Sequence, residues 1–63
     1  MTQLDDQQIM ILEHLKLGLS DKQIAARTNM DHVRVQVIMK KIIRNMGVRN
    51  RTQAVLKFIG YLP

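Results

Sequence analysis

Apolar positions recur along the chain at helical spacing, and polar capping residues punctuate them at regular intervals. Asp5 with Gln8 three residues on is a capping box, and Leu4 before it can staple onto Ile9. Ser20 with Gln23 repeats the box, and Asn50 with Gln53 resembles it a third time. Asp31 is the N-cap of another segment, although Arg34 stands where the box wants Glu or Gln. Gly18, Thr28-Asn29, Gly47 and Gly60 with Pro63 mark the ends. The pattern predicts four helices, over 6–17, 21–28, 32–46 and 51–60, and an all-α fold. Val33, Val35 and Val37 alternate as a strand would, but the apolar spacing beyond them stays helical.

The segment 32–46 has two faces. Val35, Ile42 and Met46 fall in one narrow stripe flanked by Ile38 and Met39, the expected buried side. Opposite lie Val33, Val37, Lys40 and Arg44, with Gln36 and Lys41 on the shoulders. Gln pairs bidentately with an adenine edge, Lys reaches guanine acceptors, and a Val methyl meets a thymine methyl. The alternative for the two valines is partial cover by a neighbouring helix or loop. Together with 21–28 this segment has the helix-turn-helix layout, with Ala25 and Ala26 where two helix backbones approach and Ile24 and Met30 packing beside the turn. In the last segment Ala54, Val55, Phe58 and Leu62 share the face expected to pack inward, while Leu56, Ile59 and Tyr61 lie off or at the edge of that stripe. Apolar groups on more than one side of a terminal helix point to self-association, unless the core simply wraps further around it.

Charge sharpens this picture. Of the net +5, the chain up to position 31 carries three cations against five acids, a net −2; from His32 onward Arg34, Lys40, Lys41, Arg44, Arg49, Arg51 and Lys57 stand without an acid, a net +7. A second half that is basic yet rich in apolar residues both folds and attracts polyanions. Charge alone leaves open a nucleic acid, an acidic protein partner, or a solvated face that keeps the protein soluble. At 63 residues the chain is expected to be one domain, 1–63. A domain of this size buries only about 60% of its unfolded surface, so marginal stability or help from a partner is expected. The absence of Cys removes disulfides, thiolate zinc sites and Cys nucleophiles. Phe58 and Tyr61 are too few for a single-strand binder built on base stacking. No apolar run approaches the ~20 residues of a membrane span, and the amino end lacks a signal-peptide layout, so the expected location is cytoplasmic, with no membrane partner.

The run 17–55, with Gly18, Ser20, Lys22, Ile24, Ala25, Val35, Ile42, Gly47, Val48 and the closing Arg51-Thr52-Gln53-Ala54-Val55, resembles the LuxR/GerE-type helix-turn-helix domain. Leu4, Ile11 and Leu12 fit its first helix, so the likeness covers about 4–58. The resemblance implies a four-helix DNA-binding domain whose third helix enters the major groove and whose fourth mediates dimerisation on double-stranded DNA. Carried over by position, the groove-facing sites are Gln36, Val37 and Lys40, residues that the helical wheel also places outward together with Val33. Phosphate contacts fall on Lys22, Arg34, Lys41, Arg44 and Arg51, assisted by the amides near Asp31–Val33. The dimer contact falls on Leu56, Ile59 and Tyr61. Four positions depart from the family: Arg34 replaces its common Thr, Gln36 its Lys, Ile38 its frequent His, and Thr28 its usual Leu. Arg34 offers a longer phosphate reach, and Gln36 shifts base preference toward adenine.

Other candidates have structural explanations. Ser20 reads as a cap rather than a nucleophile. His14 is expected semi-buried, and His32 solvated or on a phosphate; with no Cys and no paired spacing, neither suggests a metal or another cofactor. Asp5, Asp6 and Asp31 sit at helix starts, where the dipole favours them, and Met10, Met30, Met39 and Met46 fill the core. No catalytic constellation stands out, so no enzyme is expected. With Met1 so close to the first helix, the chain reads as a free-standing transcriptional regulator, a homodimer on DNA and nucleoid-associated when bound, which a further regulator or RNA polymerase contact would suit. The second reading is an interaction module that heterodimerises with another regulator and inhibits it. A third is a non-specific basic chromosome binder.

Overall fold

Four N-caps decide where the helices begin. The computed structural model describes residues 4–60, which form α1 (Asp6–Lys16), α2 (Asp21–Thr28), α3 (His32–Met46) and α4 (Arg51–Phe58), with no strand among the described residues. Each cap residue has extended backbone and accepts an amide of the first turn: Asp5 from Gln8 at 2.8 Å, Ser20 from Gln23 at 3.2 Å, Asp31 from Val33 at 2.8 Å and Asn50 from Gln53 at 2.9 Å. These bonds satisfy donors that have no partner within their own helix. Gln8 and Gln23 reach back to the amides of Asp5 and Ser20 and complete two capping boxes. Gln53 departs from the third box: its Oε1 accepts from the amide of Arg49, one residue earlier than Asn50.

The helix ends are set by left-handed residues. Gly18 (φ +82°), Asn29 (φ 57°) and Gly47 (φ +68°) turn the chain out of α1, α2 and α3. At Gly47 a Cβ would meet nothing within 4 Å, so glycine is needed there for its backbone angle and not for space. The predicted boundaries hold for α2 and α3. The first helix stops at Lys16 with Leu17 as cap, and the fourth at Phe58 with Ile59 as cap and Gly60 at φ +87°, one and two residues short of the predicted ends.

The helices enclose one core. Ile11, Leu12, Ile24, Val35, Ile42 and Ala54 are fully buried, and Leu15, Ala25, Ile38, Met39 and Met46 nearly so. Every pair of helices packs except α2 with α4, and α3 alone has five buried residues in the core. Val55 and Phe58 pack inward from α4, as the pattern predicts; Leu62, assigned to the same face, lies outside the described residues. Three local expectations change. Ala26 is exposed, leaving Ala25 as the small residue of α2 in the core. Leu4 packs on the core while Ile9 remains 37% exposed, so the predicted staple does not bury Ile9. Met10 is half-buried and sits outside the core that Met39 and Met46 help fill.

The contrast between the faces of α3 predicts opposite responses to truncation. Ile42→Ala leaves a cavity in a fully buried site and is expected to cost about 2–5 kcal/mol in urea denaturation. Val33→Ala, at the exposed start of the same helix, is expected to stay within about 0.5 kcal/mol.

Candidate nucleic-acid interface

The outer face of α3 follows directly from what its inner face buries. With Val35, Ile38, Met39, Ile42 and Met46 turned into the core, the i, i+3, i+4, i+7 geometry leaves Val33, Gln36, Val37, Lys40 and Arg44 on one solvent-facing ridge. Val33 is 64% and Val37 47% exposed, so no described helix or loop fully covers either valine, although both line the cleft against the start of α1. Arg34 and Lys41 flank the ridge, and Lys22 on the first turn of α2 is also exposed. At 1.5 Å per residue the helix is about 22 Å long, and an α-helix fits the major groove, which is about 12 Å wide. From His32 to Met46 the helix carries four cations and no acid.

Two acidic residues beside this face, Asp5 and Asp31, each cap a helix. A cleft of 470 Å³ between the start of α1 and α3 is lined by Asp5, Gln8, Asp31, Val33, Arg34 and Lys41 among others. Both carboxylates in that cleft are N-caps. Asp31 thereby occupies the Val33 amide, so that amide is not open to the phosphate which the sequence assigns to the Asp31–Val33 end. His32 beside it is exposed. His14 is half-buried, with Nδ1 2.7 Å from the Met10 carbonyl oxygen, a local helix contact. No group of three or more His, Cys, Asp or Glu comes together to hold a metal ion among the described residues. No described helix is long and apolar enough to cross a membrane.

Two polar contacts set the frame around α3, and sequence reasoning missed both. Lys57 of α4 donates from Nζ to the Met46 carbonyl at 2.7 Å, placing a cation on the negative end of the α3 dipole. Arg51, the first residue of α4, donates from Nη2 to both carboxylate oxygens of Asp21, the first residue of α2, at 2.8 Å each. A signal for the second was present: an Arg in a helix's first turn faces the positive end of its dipole and needs an anion nearby. Arg51 is therefore the one sequence-assigned phosphate ligand whose guanidinium is held by a carboxylate among the described residues. The Thr28 hydroxyl, where the resemblance expects Leu, donates to the Ile24 carbonyl at 2.7 Å.

On α4 the face turned from the core is apolar in part. Ile59, the C-cap of α4, is 51% exposed, and Leu56 is half-buried at a cleft it lines with Leu15 and Leu19. Tyr61, the third residue assigned to a dimer contact, lies outside the described residues.

Comparison with known proteins agrees with this architecture. The family model described as "Bacterial regulatory proteins, luxR family" matches residues 2–58. The nitrate/nitrite response regulator protein NarP of Escherichia coli (strain K12) is 34% identical over 56 residues, which cover 89% of this chain but only 26% of that relative. No solved structure matches the chain. The four-helix fold is consistent with this match, and the family model's coverage of nearly the whole chain shows that the protein belongs to the luxR family of bacterial regulatory proteins.

Proposed function

We propose that the chain acts as a DNA-binding module of a transcriptional regulator, with α3 inserted in the major groove. The observation that carries this reading is the outward ridge of α3, on which exposed valines alternate with Gln36, Lys40 and Arg44 and no acid intervenes. Val33 and Val37 add methyl groups to a ridge of Gln and cations, the mixture that base-edge reading uses. In the proposed complex Gln36 and Lys40 hydrogen-bond base edges, and Val33 and Val37 meet thymine methyls. Lys22, Arg34, Lys41 and Arg44 hold phosphates and set the register of the helix. Arg51 belongs to the same basic surface but starts from its pairing with Asp21.

We further propose that two copies meet through α4. The half-exposed Ile59 and its neighbour Leu56 support this, and Tyr61 completes the patch in the sequence reading. A two-fold dimer would present two α3 ridges to inverted half-sites about 34 Å apart.

Selection of bound duplexes from a random pool at near-physiological salt tests the first proposal. An enriched motif is expected, with adenine under Gln36. Gln36→Ala should relax preference at that position and cost about 1–3 kcal/mol, whereas Arg44→Ala should weaken all duplexes alike and lower the salt slope by about 0.9. Binding without enrichment would favour a non-specific basic binder, and no binding would favour the protein-interaction reading. For the dimer, analytical ultracentrifugation with the selected duplex should give two chains per inverted site, and Ile59→Asp should reduce this to one. A single chain per duplex in the unsubstituted protein would overturn the dimer.

A further inference from the structure

The Asp21–Arg51 pair bears on how strongly the proposed interface grips DNA, and this inference rests on the DNA-binding reading. α2 and α4 do not otherwise pack against one another, so the pair spans a gap between the starts of two helices. Both oxygens of Asp21 accept from the same Arg51 nitrogen at 2.8 Å. The Asp21 side chain is only 14% exposed, whereas that of Arg51 is 42% exposed. The pair is beside the reading face: Asp21 and Arg51 line one shallow depression together with Gln36, Met39, Lys40 and Ile43 of α3. An anion bound by Arg51 there would lie next to the base-reading residues.

A carboxylate presents to a guanidinium the same kind of paired acceptor oxygens as a phosphodiester. We propose that Asp21 is an internal stand-in for a backbone phosphate: it neutralises Arg51 in the free protein and thereby lowers the affinity and salt dependence of DNA binding. Any phosphate that engages Arg51 must first displace or share with Asp21. While the pair stays intact in the complex, Arg51 neutralises no phosphate and so releases no counterion from the DNA. The effective phosphate contacts per domain are then Lys22, Arg34, Lys41 and Arg44, and Arg51 is held in reserve. Asp21 is a determinant of affinity that touches no DNA, and substituting it unmasks a further cation.

The competing geometry is a buttress, in which Asp21 holds Arg51 so that its remaining N–H groups, Nη1 and Nε, grip a phosphate. The two arrangements predict opposite signs. The test is a salt titration of binding to a fixed, fluorescently labelled 20-base-pair duplex, read by anisotropy, for the parent chain, Asp21→Asn and Arg51→Gln. Helical circular dichroism on each protein confirms folding, and Asn keeps the size of the side chain it replaces. On the proposal, Asp21→Asn binds several-fold more tightly at low salt, and its slope of log K against log salt steepens by about 0.9. Arg51→Gln keeps the parent's slope, because Arg51 contributes no net counterion release there. This second variant bears on the proposal even if Asp21→Asn fails to fold.

Weaker binding by folded Asp21→Asn, or a slope equal to the parent's, overturns the proposal and leaves the DNA reading intact. A slope shallower by about 0.9 in Arg51→Gln overturns it as well, since Arg51 would then already neutralise a phosphate in the parent. Failure of both the parent and Asp21→Asn to bind the duplex overturns the DNA reading and this proposal together. Binding by Asp21→Asn where the parent shows none supports both.

Discussion

The burial of one stripe on α3 is the constraint on which the rest depends. Val35, Ile38, Met39, Ile42 and Met46 are in contact with a core built by α1, α2 and α4, and a helix held on three sides cannot rotate about its axis. That fixed rotation decides which residues face outward. A turn of about 100° would exchange Gln36 and Lys40 for apolar neighbours and leave a buried polar group without a partner, a cost of the order of 1–3 kcal/mol for each. The identity of the outer ridge is therefore a consequence of packing, and the small helices around α3 serve to aim it.

The charge pattern divides along the same line. The acids cluster in the first half and three of them have local structural work: Asp5 and Asp31 cap helices, and Asp21 holds Arg51. In the basic half, Lys57 closes the C-terminal end of α3. What remains facing solvent around α3 is a set of cations with no ion pair among the described residues, Arg34, Lys40, Lys41 and Arg44. In water of moderate ionic strength such charges repel one another over about 8–10 Å, and a polyanion relieves that repulsion. Asp5 and Asp31 each accept a helix amide and Asp21 pairs with Arg51, so none of these three acids pairs with the cations of α3.

Much of this was legible in the chain because its signals are local. Capping side chains and left-handed glycines act within three or four residues, so Asp5, Ser20, Asp31, Asn50, Gly18 and Gly47 could be assigned from spacing alone. The two faces of the segment 32–46 follow from a periodicity that the core respects. The partners in long-range polar contacts were not legible, even where, as at Arg51, the position called for an anion. Asp21 and Arg51 are 30 residues apart, and Lys57 is 11 residues from the carbonyl it caps, so neither partner can be chosen without the fold. Fine placement failed where two similar choices compete: Ala26 and Ala25 are equivalent in composition, and the rotation of α2 buries only the second. The Gln53 side chain likewise bonds the amide of Arg49 and not that of Asn50, which the spacing of the box suggests.

On the proposed function, the outward ridge of α3 is the surface that meets DNA. The most direct test is a titration of the isotope-labelled protein with a duplex, followed through the backbone amide resonances. The largest shifts should fall on Val33, Gln36, Val37 and Lys40, with Arg34 and Lys41 beside them. A duplex that binds while those amides stay in place, with the changes gathered elsewhere on the surface, would contradict it.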